Sequence, residues 1–111
     1  MRKVDRELYE LHARLCKVFT SPKRLEVLDA LREGELSVGE LADRLNISQA
    51  NLSQHLSILR DKGVVKTRRE GTTIFYSLTT GKIVQAFDLI HEVLMERITE
   101  TEKLSQTLRE G

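Results

Sequence analysis

Two short helical patterns that meet at a tight corner constrain this chain more than any other feature. Ser37 begins the first pattern, and Glu40 completes a capping box, in which two side chains satisfy backbone N–H groups at a helix start. Asn46 tolerates the left-handed conformation of a tight turn, Ile47 plugs that turn, and Ser48 can cap the second helix. The sequence therefore predicts a helix-turn-helix.

The second helix of this pair has an unusual surface. Residues 45–59 (LNISQANLSQHLSIL) contain no Asp, Glu, Lys or Arg, although 32% of the chain is charged. The spacing of Leu52, Leu56 and Leu59 predicts one buried stripe. The other side carries Gln49, Ser53, Gln54 and Ser57. A helix face that only has to be soluble usually carries Glu and Lys, so this neutral face indicates a specific function.

The other segments predict more helices and one pair of strands. Ser21 and Pro22 begin a helix that Gly34 ends. After Gly63, β-branched and aromatic residues alternate around a turn at residues 70–72, which predicts a β-hairpin. Arg68 and Arg69 are expected at its tip. The predicted fold is mainly α with a small β-hairpin wing, in a single domain over residues 1–111.

Two further helices, the first and the last of the chain, have heptad-like apolar spacing. The apolar positions are Val4, Leu8, Leu11, Leu15 and Val18 in the first helix, and Ile83, Phe87, Ile90 and Leu94 in the last. We expect the last helix to continue past Ile98 toward Leu104 and Leu108. Two such helices have more apolar surface than a three-helix core can cover, so a dimer is favoured.

Charge is distributed unevenly along a chain whose net charge is only +1. Residues 48–82 are net +4, and residues 83–111 are net −3. A helix that enters the major groove of DNA must read donors and acceptors on base edges between two rows of phosphates. Neutral Gln, Asn and Ser side chains can discriminate there, the small Ala50 allows close approach, and peripheral Arg and Lys hold the backbone. This pattern predicts a double-stranded DNA-binding protein.

Composition restricts the other function classes. The single cysteine, Cys16, excludes an internal disulfide and a zinc site built from several thiolates of one chain. The N-terminal residues lack the apolar core of a secretory signal, and no apolar run has the length of a membrane span, so we expect a cytoplasmic protein. We find no nucleophile with a base, no carboxylate pair and no phosphate loop, which argues against an enzyme.

Three segments together resemble the ArsR family of winged helix-turn-helix repressors. These segments are SPKRLEVLDAL, ISQANLSQHLSILRDKGVV and RREGTTIFYSL. The resemblance implies a homodimer that binds an imperfect palindrome in an operator and leaves it when an inducer binds. It implies DNA contacts at Ser48, Gln49, Ala50, Ser53, Gln54, Arg68 and Arg69, and the neutral side of the helix adds Ser57 to this set. It also implies dimerisation through the first and last helices, with Leu8, Leu11, Leu15, Ile83, Phe87, Ile90 and Leu94 at the interface.

The sensor sites of that family are not matched. Ser37 and Gly39 stand where metal-responsive members carry two cysteines, and Thr80, Lys82, Val93 and Glu96 align with an alternative ligand set. Of these, only Glu96 could be a metal ligand, so we predict no metal site and no cofactor. We then expect an unidentified small-molecule inducer or constitutive binding to DNA, and we rank both above a thiol-reactive inducer that acts at Cys16.

Several alternatives stay open at this stage. His55 lies near the leucine stripe, which favours a packed, hydrogen-bonded histidine over a base contact. His12 and Cys16 are spaced for a metal, but packing is the favoured role of a lone helical cysteine. The alternative function is a winged-helix module that binds protein rather than operator DNA.

Overall fold

The structure, a computed structural model, describes residues 3–110 and divides the chain into two compact units. The first unit ends at Gly81, and the second begins at Lys82. The elements are helix α1 (Lys3–Cys16), a 3-10 helix (Lys17–Thr20), α2 (Pro22–Ala30), strand β1 (Leu36–Ser37), α3 (Val38–Leu45), α4 (Gln49–Asp61), strands β2 (Val65–Glu70) and β3 (Thr73–Leu78), and α5 (Lys82–Glu110). The predicted helical architecture with a β-hairpin is confirmed, whereas the single domain over residues 1–111 stays a prediction.

The core of the first unit is aliphatic. The largest fully buried side chains are Val18, Val27, Leu28, Leu31, Leu41, Leu52, Leu56 and Leu59. They come from the 3-10 helix, from α2 and the residue after it, and from α3 and α4. Burying one such side chain stabilises the folded state by roughly 1.5–3 kcal/mol. Apolar packing therefore fixes the relative positions of these helices within the first unit.

The first helix is shorter than its apolar pattern predicted. Helix α1 ends at Cys16, and Val18 lies in the 3-10 helix that follows, where it is buried. A 3-10 helix has three residues per turn, so Val18 leaves the stripe of the preceding α-helix. The assignment of Val18 to that stripe was wrong. Val4, Leu8, Leu11 and Leu15 form the rest of the stripe, and all four are exposed.

The corner between α3 and α4 forms as the sequence predicted. The Glu40 backbone N–H donates to Ser37 Oγ at 3.1 Å, and the Ser37 N–H donates to the Glu40 carboxylate at 3.0 Å, so the capping box is complete. These bonds from Ser37, the backbone bond first, lower the pKa of Glu40. Asn46 ends α3 with φ 54° and ψ 49°, in the left-handed region. Ser48 Oγ accepts the Asn51 N–H at 3.1 Å and caps α4.

A third strand joins the predicted hairpin. The strand order is β1-β3-β2, all antiparallel, with Leu36 opposite Tyr76 and Ser37 opposite Phe75. Strand β1 has only two residues, which is too short for an alternating pattern to show in the sequence. It was therefore missed.

The arginines of the hairpin lie below its tip rather than at it. Glu70 and Thr73 form the last pair before the turn, where Gly71 has φ 62°. Arg69 pairs with Ile74 one step below, and Arg68 pairs with Phe75 one step further. The expected position at the tip is wrong by one and two pairs, because the pairing closes at Glu70 and leaves only two residues in the turn.

Helix α5 is a single helix of 29 residues, which confirms its predicted continuation past Ile98. Ile83 and Phe87 are half-buried, whereas Ile90 and Leu94 are 65% and 53% exposed. Leu104 and Leu108 are exposed as well. Within residues 3–110, no helix combines the length and apolar character needed to span a bilayer.

The left-handed residue at the corner gives a stability prediction. Asn46→Ala should lower the free energy of unfolding by about 1 kcal/mol, because a Cβ without a local hydrogen-bonding group is disfavoured in that region. Asn46→Gly should cost less, because glycine adopts positive φ freely. Urea unfolding measures both, with Asn51→Ala on the exposed side of α4 as the control. An alanine variant as stable as the parent would contradict the assigned turn.

Candidate nucleic-acid interface

Helix α4 presents its neutral polar residues to solvent as the sequence predicted. Leu52, Leu56 and Leu59 are each 0% exposed and fix the rotation of the helix about its own axis. Outside this stripe, α4 carries five exposed and uncharged residues: Gln49, Ala50, Ser53, Gln54 and Ser57. Their side chains form an exposed surface, and the Gln and Ser side chains on it can donate and accept hydrogen bonds. We call these five residues the neutral face.

The start of α4 adds a hydroxyl and a backbone terminus to this surface. Ser48 is exposed, and its oxygen accepts the Asn51 N–H. A hydroxyl that accepts one bond still has its own hydrogen to donate, so the capping role leaves Ser48 able to bind a phosphate oxygen. The N–H groups of the first helical turn also favour negative charge. Ser48 can therefore cap the helix and contact DNA at once.

His55 lies on the edge of the leucine stripe. It is half-buried, so the expectation that it packs is met. Its Nδ1 is buried and has no hydrogen-bond partner among the described residues, so the expected hydrogen bond is absent at that nitrogen. His55 therefore contributes packing and is not part of the neutral face.

The two positions that the sequence resemblance associates with cysteine ligands, Ser37 and Gly39, have other roles here. Ser37 caps α3, and Gly39 lies in α3 near Gln49 of α4. A Cβ built on Gly39 would come within 3.9 Å of Gln49 Nε2 and of Ser37 Oγ. Among residues 3–110, no group of three or more His, Cys, Asp and Glu side chains is placed to hold a metal ion. Cys16 is a free, exposed thiol on α1.

Three basic side chains lie along β2. Lys66, Arg68 and Arg69 are all exposed. Successive residues of a strand point to opposite sides, so Lys66 and Arg68 share one side and Arg69 lies on the other. Arg60, in the last turn of α4, is also exposed. The neutral face therefore has basic residues at the end of its own helix and on the wing.

Arg68 differs from the other two because its charge already has partners. It makes ion pairs with Glu35 and Glu70, and its guanidinium lies 4.7 Å from the centre of the Phe75 ring. Hydrogen bonding to Glu35, more than to Glu70, raises the pKa of Arg68 above its ordinary value. The same bond lowers the pKa of Glu35. The contact of Arg68 with DNA stays a prediction.

Glu35 is the residue near this site that sequence reasoning missed. It precedes β1 directly and reaches Arg68, which is 33 residues away along the chain. No local pattern marks such a pair, because a periodic signal reports only neighbours within a helix or strand. Only a predicted third strand beside the hairpin would have indicated that Glu35 lies near Arg68.

Comparison with known proteins finds relatives over most of the chain. Residues 21–67 match the arsR family, described as bacterial regulatory proteins. The transcriptional activator HlyU of Vibrio cholerae is 44% identical over 79 residues, which are 71% of this chain and 73% of that protein. The family resemblance in the sequence is confirmed.

Solved structures give the same result for the fold. The transcriptional repressor BigR from Xylella fastidiosa is 40% identical with a TM-score of 0.72, over 84% of this chain and 96% of that chain. A homodimeric winged helix-turn-helix DNA-binding domain from Mycobacterium bovis is 28% identical with a TM-score of 0.78, over 88% and 91% of the two chains. These names describe regulators, and the winged helix-turn-helix assignment is confirmed. The chain belongs to the arsR family of bacterial regulatory proteins.

Proposed function

We propose that this chain is a homodimeric transcriptional repressor that binds an imperfect palindrome in double-stranded DNA. The observation that carries the proposal is the neutral face of α4, exposed over its whole length and free of charge. The relatives include a named activator and a named repressor, and we favour repression because a dimer that occupies promoter DNA can block transcription by itself. The alternative of a protein-binding module is not favoured, because the relatives are named as regulators.

The neutral face supplies the chemistry for reading bases. Gln49 and Gln54 can each donate and accept, which matches the N6 and N7 groups of adenine in the major groove. Ser53 can do either, and Ala50 can contact a thymine methyl group. Ser48 and Ser57 would lie at the edges of the groove, where hydroxyl groups contact phosphates. In this arrangement the base-facing residues carry specificity.

The basic residues around the neutral face supply sequence-independent affinity. Arg69 on the wing and Arg60 at the end of α4 are exposed, and each can neutralise a phosphate. Lys66 on the wing can do the same. Because such contacts release counterions from DNA, they make the affinity depend on salt.

Dimerisation accounts for the exposed apolar stripes of α1 and α5. In α1, Leu8, Leu11 and Leu15 are 62%, 58% and 41% exposed. In α5, Ile90 and Leu94 continue the spacing set by Ile83 and Phe87. Apolar surface of this extent at heptad spacing is typical of helices that pack against a partner. A dimer would also hold two recognition helices about one turn of DNA apart, as an operator with two half-sites requires.

Release by an inducer completes the proposed cycle. The inducer is a small molecule, or a thiol-reactive compound that modifies the exposed Cys16. A regulator of this kind works beside the chromosome, so we propose that it acts in the cytoplasm.

The first prediction of this proposal concerns salt. If each subunit neutralises about three phosphates, the log-log slope of affinity against salt should be near −5. Binding should then weaken roughly a thousandfold between 50 and 200 mM salt. The probe is a duplex recovered by selection from a random pool, titrated by fluorescence anisotropy beside a scrambled duplex.

Arg69→Ala should reduce the magnitude of that slope by nearly 2, because the dimer loses about two phosphate contacts. Arg109→Ala, which removes the same charge from the last turn of α5, is the matched control. A parent protein whose affinity does not respond to salt would contradict the proposed mode of binding.

A second prediction concerns base reading. Gln54→Ala should reduce the difference in binding free energy between the selected and scrambled duplexes by about 1–3 kcal/mol. Its effect on binding to the scrambled duplex should be small, because no base contact is lost there. Gln106→Ala on α5 removes the same group outside the neutral face and should leave both affinities unchanged. Equal weakening of both duplexes by Gln54→Ala would refute a base-reading role.

A third prediction concerns assembly. Leu94→Asp would place a charge in the apolar interface between the two subunits of the proposed dimer. The dimer should dissociate, because burying that charge is costly. Thr99→Asp adds the same side chain to another side of α5 and should leave the dimer intact. Light scattering at micromolar concentration distinguishes the two, and a monomeric parent protein would rule out the assignment.

A further inference from the structure

The guanidinium of Arg68 has every nitrogen engaged within its own subunit. Nε donates to Glu35 Oε2 at 3.1 Å, and Nη2 donates to Glu35 Oε1 at 2.5 Å. Nη1 donates to Glu70 Oε2 at 3.0 Å. The paired bonds to Glu35 form a bidentate fork, which fixes orientation as well as distance. The Phe75 ring below the guanidinium adds a cation–π contact.

These contacts connect β1 and β2, the two strands of the sheet that do not pair with each other. Glu35 precedes β1, Arg68 lies in β2, and Phe75 lies in β3 between them. Strand β1 meets β3 over only two residue pairs. The ion pair therefore spans the central strand and ties one edge of the sheet to the other. Glu70, at the end of β2, extends the tie toward the turn.

The same contacts reduce the positive charge that the wing can offer to DNA. Two carboxylates partner the Arg68 charge, and a DNA phosphate would have to displace at least one of them. The low pKa of Glu35 keeps that carboxylate charged, so the pair is intact above the ordinary range of a glutamate and is lost only as pH falls through the lowered value. Within the described residues, Arg69 makes no ion pair and lies on the other side of β2.

We propose that Arg68 is a positioning residue that holds the wing through Glu35 and Glu70, while Arg69 is the wing arginine that contacts the phosphate backbone. This inference rests on the proposed function, because it assigns different roles to two arginines of the same DNA-binding wing. It replaces the expectation that both arginines contact DNA. The wing would then be orientated before DNA arrives, which reduces the ordering cost of binding.

Glu35→Gln distinguishes this role from a direct contact because the two roles predict opposite signs. If Arg68 bound phosphate, removing a neighbouring negative charge would free it and tighten binding to DNA. If Arg68 positions the wing, the neutral amide weakens the fork and the selected duplex binds about three- to tenfold more weakly. Glu33→Gln removes the same charge from the same loop, two residues earlier, and is the control.

Arg68→Lys tests the fork directly. Lysine keeps the charge but cannot form the bidentate bonds, so a positioning role predicts the same loss as in Glu35→Gln. The double variant should bind no more weakly than either single variant, because both changes remove one interaction. The log-log slope of affinity against salt should be the same in Glu35→Gln as in the parent protein. Its magnitude should decrease in Arg69→Ala.

The mobility of the wing gives a readout that needs no DNA. Backbone order parameters of residues 69–73, measured by NMR relaxation on the free protein, should fall in Glu35→Gln and Arg68→Lys and not in Glu33→Gln. If the parent protein bound no duplex, the proposed function would fail, and these order parameters would still decide the role of the ion pair. Tighter DNA binding by Glu35→Gln, or unchanged order parameters in both wing variants, would overturn the proposal.

Discussion

Burial of the leucine stripe of α4 is the interaction on which the rest of the site depends. Leu52, Leu56 and Leu59 are completely removed from solvent, and each contributes roughly 1.5–3 kcal/mol by leaving water. Because these residues repeat with the helical period, their burial fixes the rotation of the helix as well as its position. The neutral face has no freedom to turn away from solvent. Core packing thus sets which side chains DNA could meet.

Local signals account for what the sequence predicted well. The capping box at Ser37, the left-handed Asn46 and the cap at Ser48 each involve residues within three or four positions of one another. Their geometry follows from helix termini alone. Predicting the neutral face required only the helical period and the residue types along the helix. For this reason the corner and the composition of its exposed surface could be predicted without a structure.

The remaining features depend on contacts between distant residues. Strand β1 exists because its two residues pair with β3, and Glu35 meets Arg68 across 33 positions. Val18 leaves the heptad stripe because the chain tightens into a 3-10 helix after Cys16. Neither a pairing partner nor a change of helix type has a periodic signature. The sequence therefore predicted which residues are basic in the wing, but not which of them already have partners.

The ion pairs of Arg68 also bear on how a chain of net charge +1 can discriminate among DNA sequences. Positive charge alone binds every duplex alike, and each added phosphate contact increases that background. A wing whose central arginine is partnered by two carboxylates adds less background than its three basic residues would suggest. Affinity then depends more on the match between base edges and the neutral face of α4. By this argument, internal pairing of a wing arginine favours specificity over total affinity, because it limits the contacts that do not read sequence.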